Sequence, residues 1–177
     1  MKRVTQTMST RFKIKVGVPQ FVMGYFSNPA AKNNTDFNEA VRIFYCKTTA
    51  LVQSGSIIIG TSGKKYLLID AGIEETSRPV GYNTFRALEL NQSAALWRIS
   101  KTTDAVSKRT IESYVSIDTI DYSATLLRQI VDTLRIPFNE YNIITDAILQ
   151  EGDKLDNHRM VRRVDRVNGI TVARVSD

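Results

Sequence analysis

A chain of 177 residues that is 42% hydrophobic and 24% charged can bury a real core, and it fits one globular domain or one domain with an appended subdomain. Its longest apolar runs, Ile57-Ile58-Ile59 and Tyr66 to Ile69, are far too short to span a bilayer, and no apolar stretch follows the basic N-terminal residues as a secretory signal requires. The formal net charge of +6 comes from interspersed acidic and basic residues, so it gives weak attraction to nucleic acid or an acidic surface without forming a polybasic tail.

The first predicted element lies in "RFKIKVGVP". Phe12, Ile14 and Val16 alternate with Arg11, Lys13 and Lys15, which gives a strand one apolar and one charged face. An arm that pairs with a neighbouring sheet edge has this pattern, and so does an ordinary edge strand. Residues 24–38 are rich in Asn with Gly, Pro and Ser, and read as a loop. Residues 1–38 are therefore expected to form an arm and loop, ahead of a β-rich domain over 39–177.

From there the pattern is of strands. "AVRIFYCKTTALV" is dense in β-branched and aromatic residues. "SIIIGTSGKKYLLID" reads as a hairpin turning at Gly60-Thr-Ser-Gly63. "YNTFRALELN", "AALWRIS" and "RTIESYVSIDTI" supply three more candidates, so about 40–120 is expected to be a compact sheet or small barrel. Leu127, Ile130, Val131 and Leu134 recur at helical spacing, Ser123 fits an N-cap and Pro137 a stop, which predicts one helix over about 123–135. "EYNIITDAILQ" fits a helix or a strand. Asn168-Gly169 between two Val-containing runs is the signature of a type I′ hairpin. The expected class is α+β but mostly β: a small barrel or sandwich-like core, one helix and a C-terminal hairpin.

Chemistry is harder to find. Asp70 follows an apolar run in "YLLIDAG" and resembles the strand-end Asp of metallo-β-lactamase-like hydrolases. With one histidine, His158, the chain cannot assemble their imidazole ligands. The same stretch resembles the signature of retroviral-type aspartic proteases, but Ala71 stands where the hydroxyl residue belongs. Asp70-Ala-Gly72 is read as a strand leaving into a turn. His158 reads as a surface residue, and no G-x-S-x-G elbow supports a triad. "GTSGKK" does not meet the spacing of a phosphate loop. Cys46, alone in "RIFYCKTT", reads as a buried inert thiol. No catalytic residue, cofactor site or metal site is expected, and the chain is read as a protein that is intracellular, or assembled inside a cell, and not an enzyme.

The candidate contacts are basic. Arg159, Arg162, Arg163 and Arg166, with Arg174, form a cluster suited to phosphates or a partner's carboxylates. Nearby Asp153, Asp156 and Asp165 can instead neutralise it internally. On a regular strand Arg162 and Arg163 fall on opposite faces and make no single patch. Arg11, Lys13 and Lys15 are the N-terminal candidates, and Trp97 is a candidate interface anchor. Aromatic residues are few and do not interleave with Lys and Arg in a stacking pattern like that of single-strand binders.

The segment 54–118, with Gly63, Lys65, Tyr66 and Leu67 in a hairpin, Ala87 and Asn91 in the next strand, and Leu96-Trp97 in the one after, resembles the β-rich neck proteins of tailed bacteriophages. These are head-completion, stopper and head–tail joining proteins. "SGS" replaces their more usual Gly-Asp before the first strand. The resemblance implies a structural virion protein, made in the host cytoplasm and assembled as a ring at the head–tail junction. Its implied partners are copies of itself, the portal or adaptor, the tail terminator or tube, and in passing packaged DNA, with no membrane. Two rival readings are a nucleic-acid-binding small β-barrel that uses the Arg-rich C-terminal hairpin, and an enzyme built around Asp70.

Overall fold

A computed structural model of the chain describes residues 10–14, 20–27, 41–47, 52–70, 80–124, 130, 134–137 and 139–177. They form twelve antiparallel strands in two sheets, and the chain divides into two compact units: Met1–Asn91 with Leu127–Ile136, and Gln92–Leu126 with Pro137–Asp177.

The first unit is a closed barrel of β1 (Thr10–Ile14), β2 (Gln20–Ser27), β3 (Val41–Lys47), β4 (Ile57–Ile59), β5 (Lys65–Asp70) and β6 (Tyr82–Glu89), in the order β1-β2-β3-β6-β5-β4. Lys13 opposite Ile59 and Ile14 opposite Ile58 close the ring. Closure leaves no open edge in this sheet, which removes the template for unwanted strand pairing. Val22, Phe44, Cys46, Ile58, Tyr66, Leu68, Phe85 and Ala87 fill the interior, with Phe26 against them. Gly24 is required by the aromatic filling: a Cβ there would lie 2.4 Å from the Phe44 ring and 2.7 Å from the Tyr45 carbonyl oxygen. Alternation sends Ile57, Leu67, Ile69 and Leu88 to the outside of the same strands, and these too are buried.

The expected hairpin at 57–70 is present, with Gly63 at φ 80° in its turn. Residues 10–14 and 20–27, expected as arm and loop, supply two barrel strands, so the N-terminal strand pairs within its own unit on both sides. Lys15 and residues 28–38 lie outside the described residues.

The second unit is a six-stranded sheet in the order β8-β7-β10-β11-β12-β9. Its strands are β7 (Gln92–Thr103), β8 (Thr110–Tyr122), β9 (Ile143–Thr145), β10 (Lys154–Leu155), β11 (Arg159–Val167) and β12 (Ile170–Ser176). Its two ends are joined by one bridge, in which Ser123 and Ile144 exchange backbone hydrogen bonds of 2.9 and 3.0 Å. The sheet thus curls around a core that includes Ala94, Leu96, Ile120, Tyr122, Ile143, Leu155, Val161, Ala173 and Val175. The C-terminal hairpin is the expected type: Asn168 at φ 51° and Gly169 at φ 80° supply the two left-handed residues of the turn. The ambiguous segment before it resolves as strand over Ile143–Thr145.

The expected helix is not borne out as an element. Most of the span 123–135 lies outside the described residues, and no helix forms an element among those described. Ser123, expected as its cap, is a buried residue spent on the bridge to Ile144. Ile130 and Leu134 are buried, so their apolar spacing does serve a core.

Candidate functional site

The most distinctive surface is the β7–β8 hairpin. The two strands pair from Gln92–Tyr122 to Thr103–Thr110, but only Leu96 and Trp97 of β7 pair on the other side, with β10. Beyond that point, among the described residues, the two-stranded ribbon has no further strand on either edge. Four aliphatic residues, Ile99, Ile111, Val115 and Ile117, are exposed along it. Its tip is shaped by Asp104, whose Oδ1 accepts hydrogen bonds from the amides of Val106 and Ser107 at 2.8 and 3.3 Å. Those bonds hold the Asp104 carboxyl below its ordinary range, the Val106 amide contributing most.

The ribbon is fixed at its root by charge. Arg98 Nε and Nη2 donate to the two oxygens of Asp153, each at 2.7 Å, and Nη2 also donates to the Ile148 carbonyl at 3.1 Å. Asp153 is 2% exposed and also accepts from the Gln150 amide at 2.8 Å. The pairing raises the Arg98 pKa, chiefly through the Asp153 hydrogen bonds. Tyr114 faces the other side of the ribbon and donates to the Gly152 carbonyl at 3.1 Å, while Lys154 Nζ sits 4.0 Å from the centre of its ring. Two alternate faces of the ribbon are thus tied to the same segment, 148–154. Trp97 is half-buried at this root, opposite Ser116 and Lys154, where a bulge follows Leu96.

The Arg-rich strand corrects one expectation. A bulge lies in β11 between Val161 and Arg163, so Val161 pairs Val175 and Arg163 pairs Arg174, with Arg162 the additional residue. Val161 and Val164 pack on the core, and Arg162 and Arg163 between them are both exposed. The two arginines therefore share a surface. A bulge has no signal in the alternation of a single strand, so the sequence could not place it.

Much of this charge is already spent within the chain. Arg159 donates to the Tyr122 hydroxyl at 3.0 Å and to Asp156 at 2.9 Å. Arg163 bonds Glu140, with its guanidinium 5.3 Å from the Tyr141 ring centre. Arg174 donates to the Asn139 carbonyl and Arg162 to the Ser176 hydroxyl. Arg166 is exposed. The N-terminal candidates belong to the other unit: Arg11 and Lys13 stand opposite Met23 and Phe21 in register, and Lys15 lies outside the described residues.

The residues tested for chemistry stand apart. Asp70 ends β5, exposed, with its amide donating to the Ser54 hydroxyl at 3.3 Å, and residues 71–79 lie outside the described residues. His158 sits in the exposed β10–β11 turn, its Nδ1 2.9 Å from the Asp156 carbonyl oxygen. Among the described residues no three His, Cys, Asp or Glu side chains are grouped to hold a metal. Cys46 is buried in the first barrel, and burial pushes its thiol up to about 11, far from the thiolate a nucleophile needs. No described helix is long and apolar enough to cross a membrane.

No protein-family model matches the chain, and no curated protein or solved structure is significantly similar to it.

Proposed function

We propose that this chain is a structural assembly protein of a tailed bacteriophage, working as one subunit of a ring at the head–tail junction. The observation that carries the reading is the β7–β8 ribbon, anchored by the Arg98–Asp153 pair and presenting Ile99, Ile111, Val115 and Ile117 to solvent. Exposed aliphatic residues on a rooted, two-stranded extension cost solubility in a free monomer, and docking on a neighbour removes that cost. Rings arise when such a heterologous contact closes by rotation. The work is mechanical and needs no reacting group. Copies of the chain and the adjoining neck proteins, portal or adaptor on one side and tail terminator or tube on the other, are its partners in the virion.

The test is to isolate the native assembly that contains the chain, with its mass and its co-purifying proteins identified, and to repeat this with Ile111→Asp/Val115→Asp. The wild type is expected in fixed stoichiometry with portal or tail proteins. The variant is expected to keep its circular dichroism spectrum and leave the assembly. A wild-type chain that purifies as a free monomer bound only to nucleic acid overturns the reading and favours a nucleic-acid-binding module.

A further inference from the structure

The outside of the first barrel carries a second surface, unrelated to the ribbon. Strand register fixes which residues share it. Met23 stands opposite Arg11 and Phe21 opposite Lys13; Tyr25 stands opposite Tyr45; Tyr45 stands opposite Thr84, Lys47 opposite Tyr82, and Ile43 opposite Arg86. The β2, β3 and β6 positions alternate with interior residues such as Val22, Phe44, Cys46 and Phe85, so they form one outward row, with Arg11 and Lys13 of β1 at the register positions beside it. The row contains aromatic and cationic positions and no Asp or Glu. Among the described residues of this row there is thus no carboxylate to offset its cations, which favours an anionic ligand.

The aromatic part is organised. Tyr25 and Tyr45 stack with ring centroids 5.0 Å apart and planes 16° from parallel, and Tyr82 meets Tyr25 edge-on at 6.0 Å. Burial, and then the neighbouring Tyr45 and Tyr82, raise the Tyr25 pKa, so its phenol adds no negative charge to the face. Phe21 and Met23 are half exposed next along the same strand, and Lys47 is exposed beside Tyr82. Thr84, opposite Tyr45, holds a buried hydroxyl with no hydrogen-bond partner among the described residues.

We propose that this outer face of the first barrel binds single-stranded nucleic acid, with bases packing on Phe21 and the Tyr25–Tyr45–Tyr82 group and phosphates drawn to the exposed Lys47. Charge complementarity, the exposed Phe21 ring and the half-buried tyrosine rings together select this ligand. An acidic protein segment would use the cations but has no need of stacked rings. A duplex would use the cations but keeps its base faces occupied. An unpaired strand uses both, and aromatic–cationic faces of this kind bind it with little sequence preference. The site is independent of the assembly reading, because neither the ribbon nor β11 takes part in it.

The test is fluorescence anisotropy of a labelled oligothymidylate titrated with the full chain, at several salt concentrations. Duplex DNA of equal length and polyglutamate serve as competitors. Saturable binding that weakens steeply with salt is expected. Lys47→Glu and Phe21→Ser, both at exposed positions, should each weaken it about tenfold, and Tyr45→Ala at least as much. Thermal melts confirm folding; if Tyr45→Ala fails to fold, the two exposed-site variants decide. Absence of binding at low salt, variants that bind like the wild type, or duplex competing as well as the single strand would each overturn the proposal. Polyglutamate competing better than the oligonucleotide would overturn it in favour of an acidic protein partner. None of these outcomes bears on whether the chain enters an assembly.

Discussion

Arg98 and Asp153 meet across 55 residues of sequence through two parallel hydrogen bonds of 2.7 Å, one partner 28% exposed and the other 2%. A fork-on-fork pair fixes direction as well as distance. It holds the start of the β7–β8 ribbon against the segment that leads into β10. Because water reaches the guanidinium and not the carboxylate, the two partners are unequal. Removing the arginine strands a buried anion, whereas replacing the aspartate by its amide leaves a neutral group that still accepts a hydrogen bond.

Arg98→Met should therefore destabilise the second unit by about 3–5 kcal/mol, the cost of breaking a buried pair from one side. Asp153→Asn should cost less, about 1–3 kcal/mol. Urea unfolding of both variants checks the order. Equal effects would show that the pair is solvated like an ordinary surface contact.

Cys46 gives the first barrel an alkaline weakness. Its thiol titrates at about 11 in the folded chain against a usual 9.0, because burial disfavours the thiolate. A folded-state pKa raised in this way contributes stability that is fully present below pH 9 and lost as pH rises through about 11. Complete ionisation would remove on the order of 2–3 kcal/mol. Thermal melts from pH 8 to 11 should show a steeper fall for the wild type than for Cys46→Ala, which has no group to ionise there.

Gly24 is a packing requirement. A methyl group would enter the Phe44 ring and approach the Tyr45 carbonyl at 2.7 Å, and backbone cannot yield as a flexible side chain does. Gly24→Ala should cost about 2–3 kcal/mol as overpacking. Pairing it with Phe44→Leu should recover part of the loss, which double-mutant unfolding would measure.

Asn168 stands at φ 51°, where Asn is tolerated and a plain side chain is strained. Asn168→Ala should destabilise the C-terminal hairpin by about 1 kcal/mol, and Asn168→Gly should be near neutral. Chemical denaturation distinguishes the two.

The sequence by itself determined the elements that local rules encode. Alternation and β-branched density marked the strands through 40–120, Gly60 to Gly63 marked one hairpin, and Asn168-Gly169 marked another, because a turn needs its left-handed residues in adjacent positions. The buried inert state of Cys46 followed from its apolar neighbours. The stripe of Leu127, Ile130, Val131 and Leu134 correctly gave burial at Ile130 and Leu134, while the expected cap Ser123 was claimed by a long-range bridge.

Tertiary structure decided the rest, since pairing between distant strands has no local signature. Closure turned an expected N-terminal arm into barrel strands, because Thr10–Ile14 finds partners 6 to 14 residues away in β2 and 44 to 46 away in β4. A single bulge moved Arg162 onto the face of Arg163, and no alternation rule foresees an extra residue. The aromatic face shows the same cause most plainly. Tyr25, Tyr45 and Tyr82 lie on three different strands, and only the barrel's register stacks Tyr25 on Tyr45 and brings Tyr82 edge-on to Tyr25 beside Lys47.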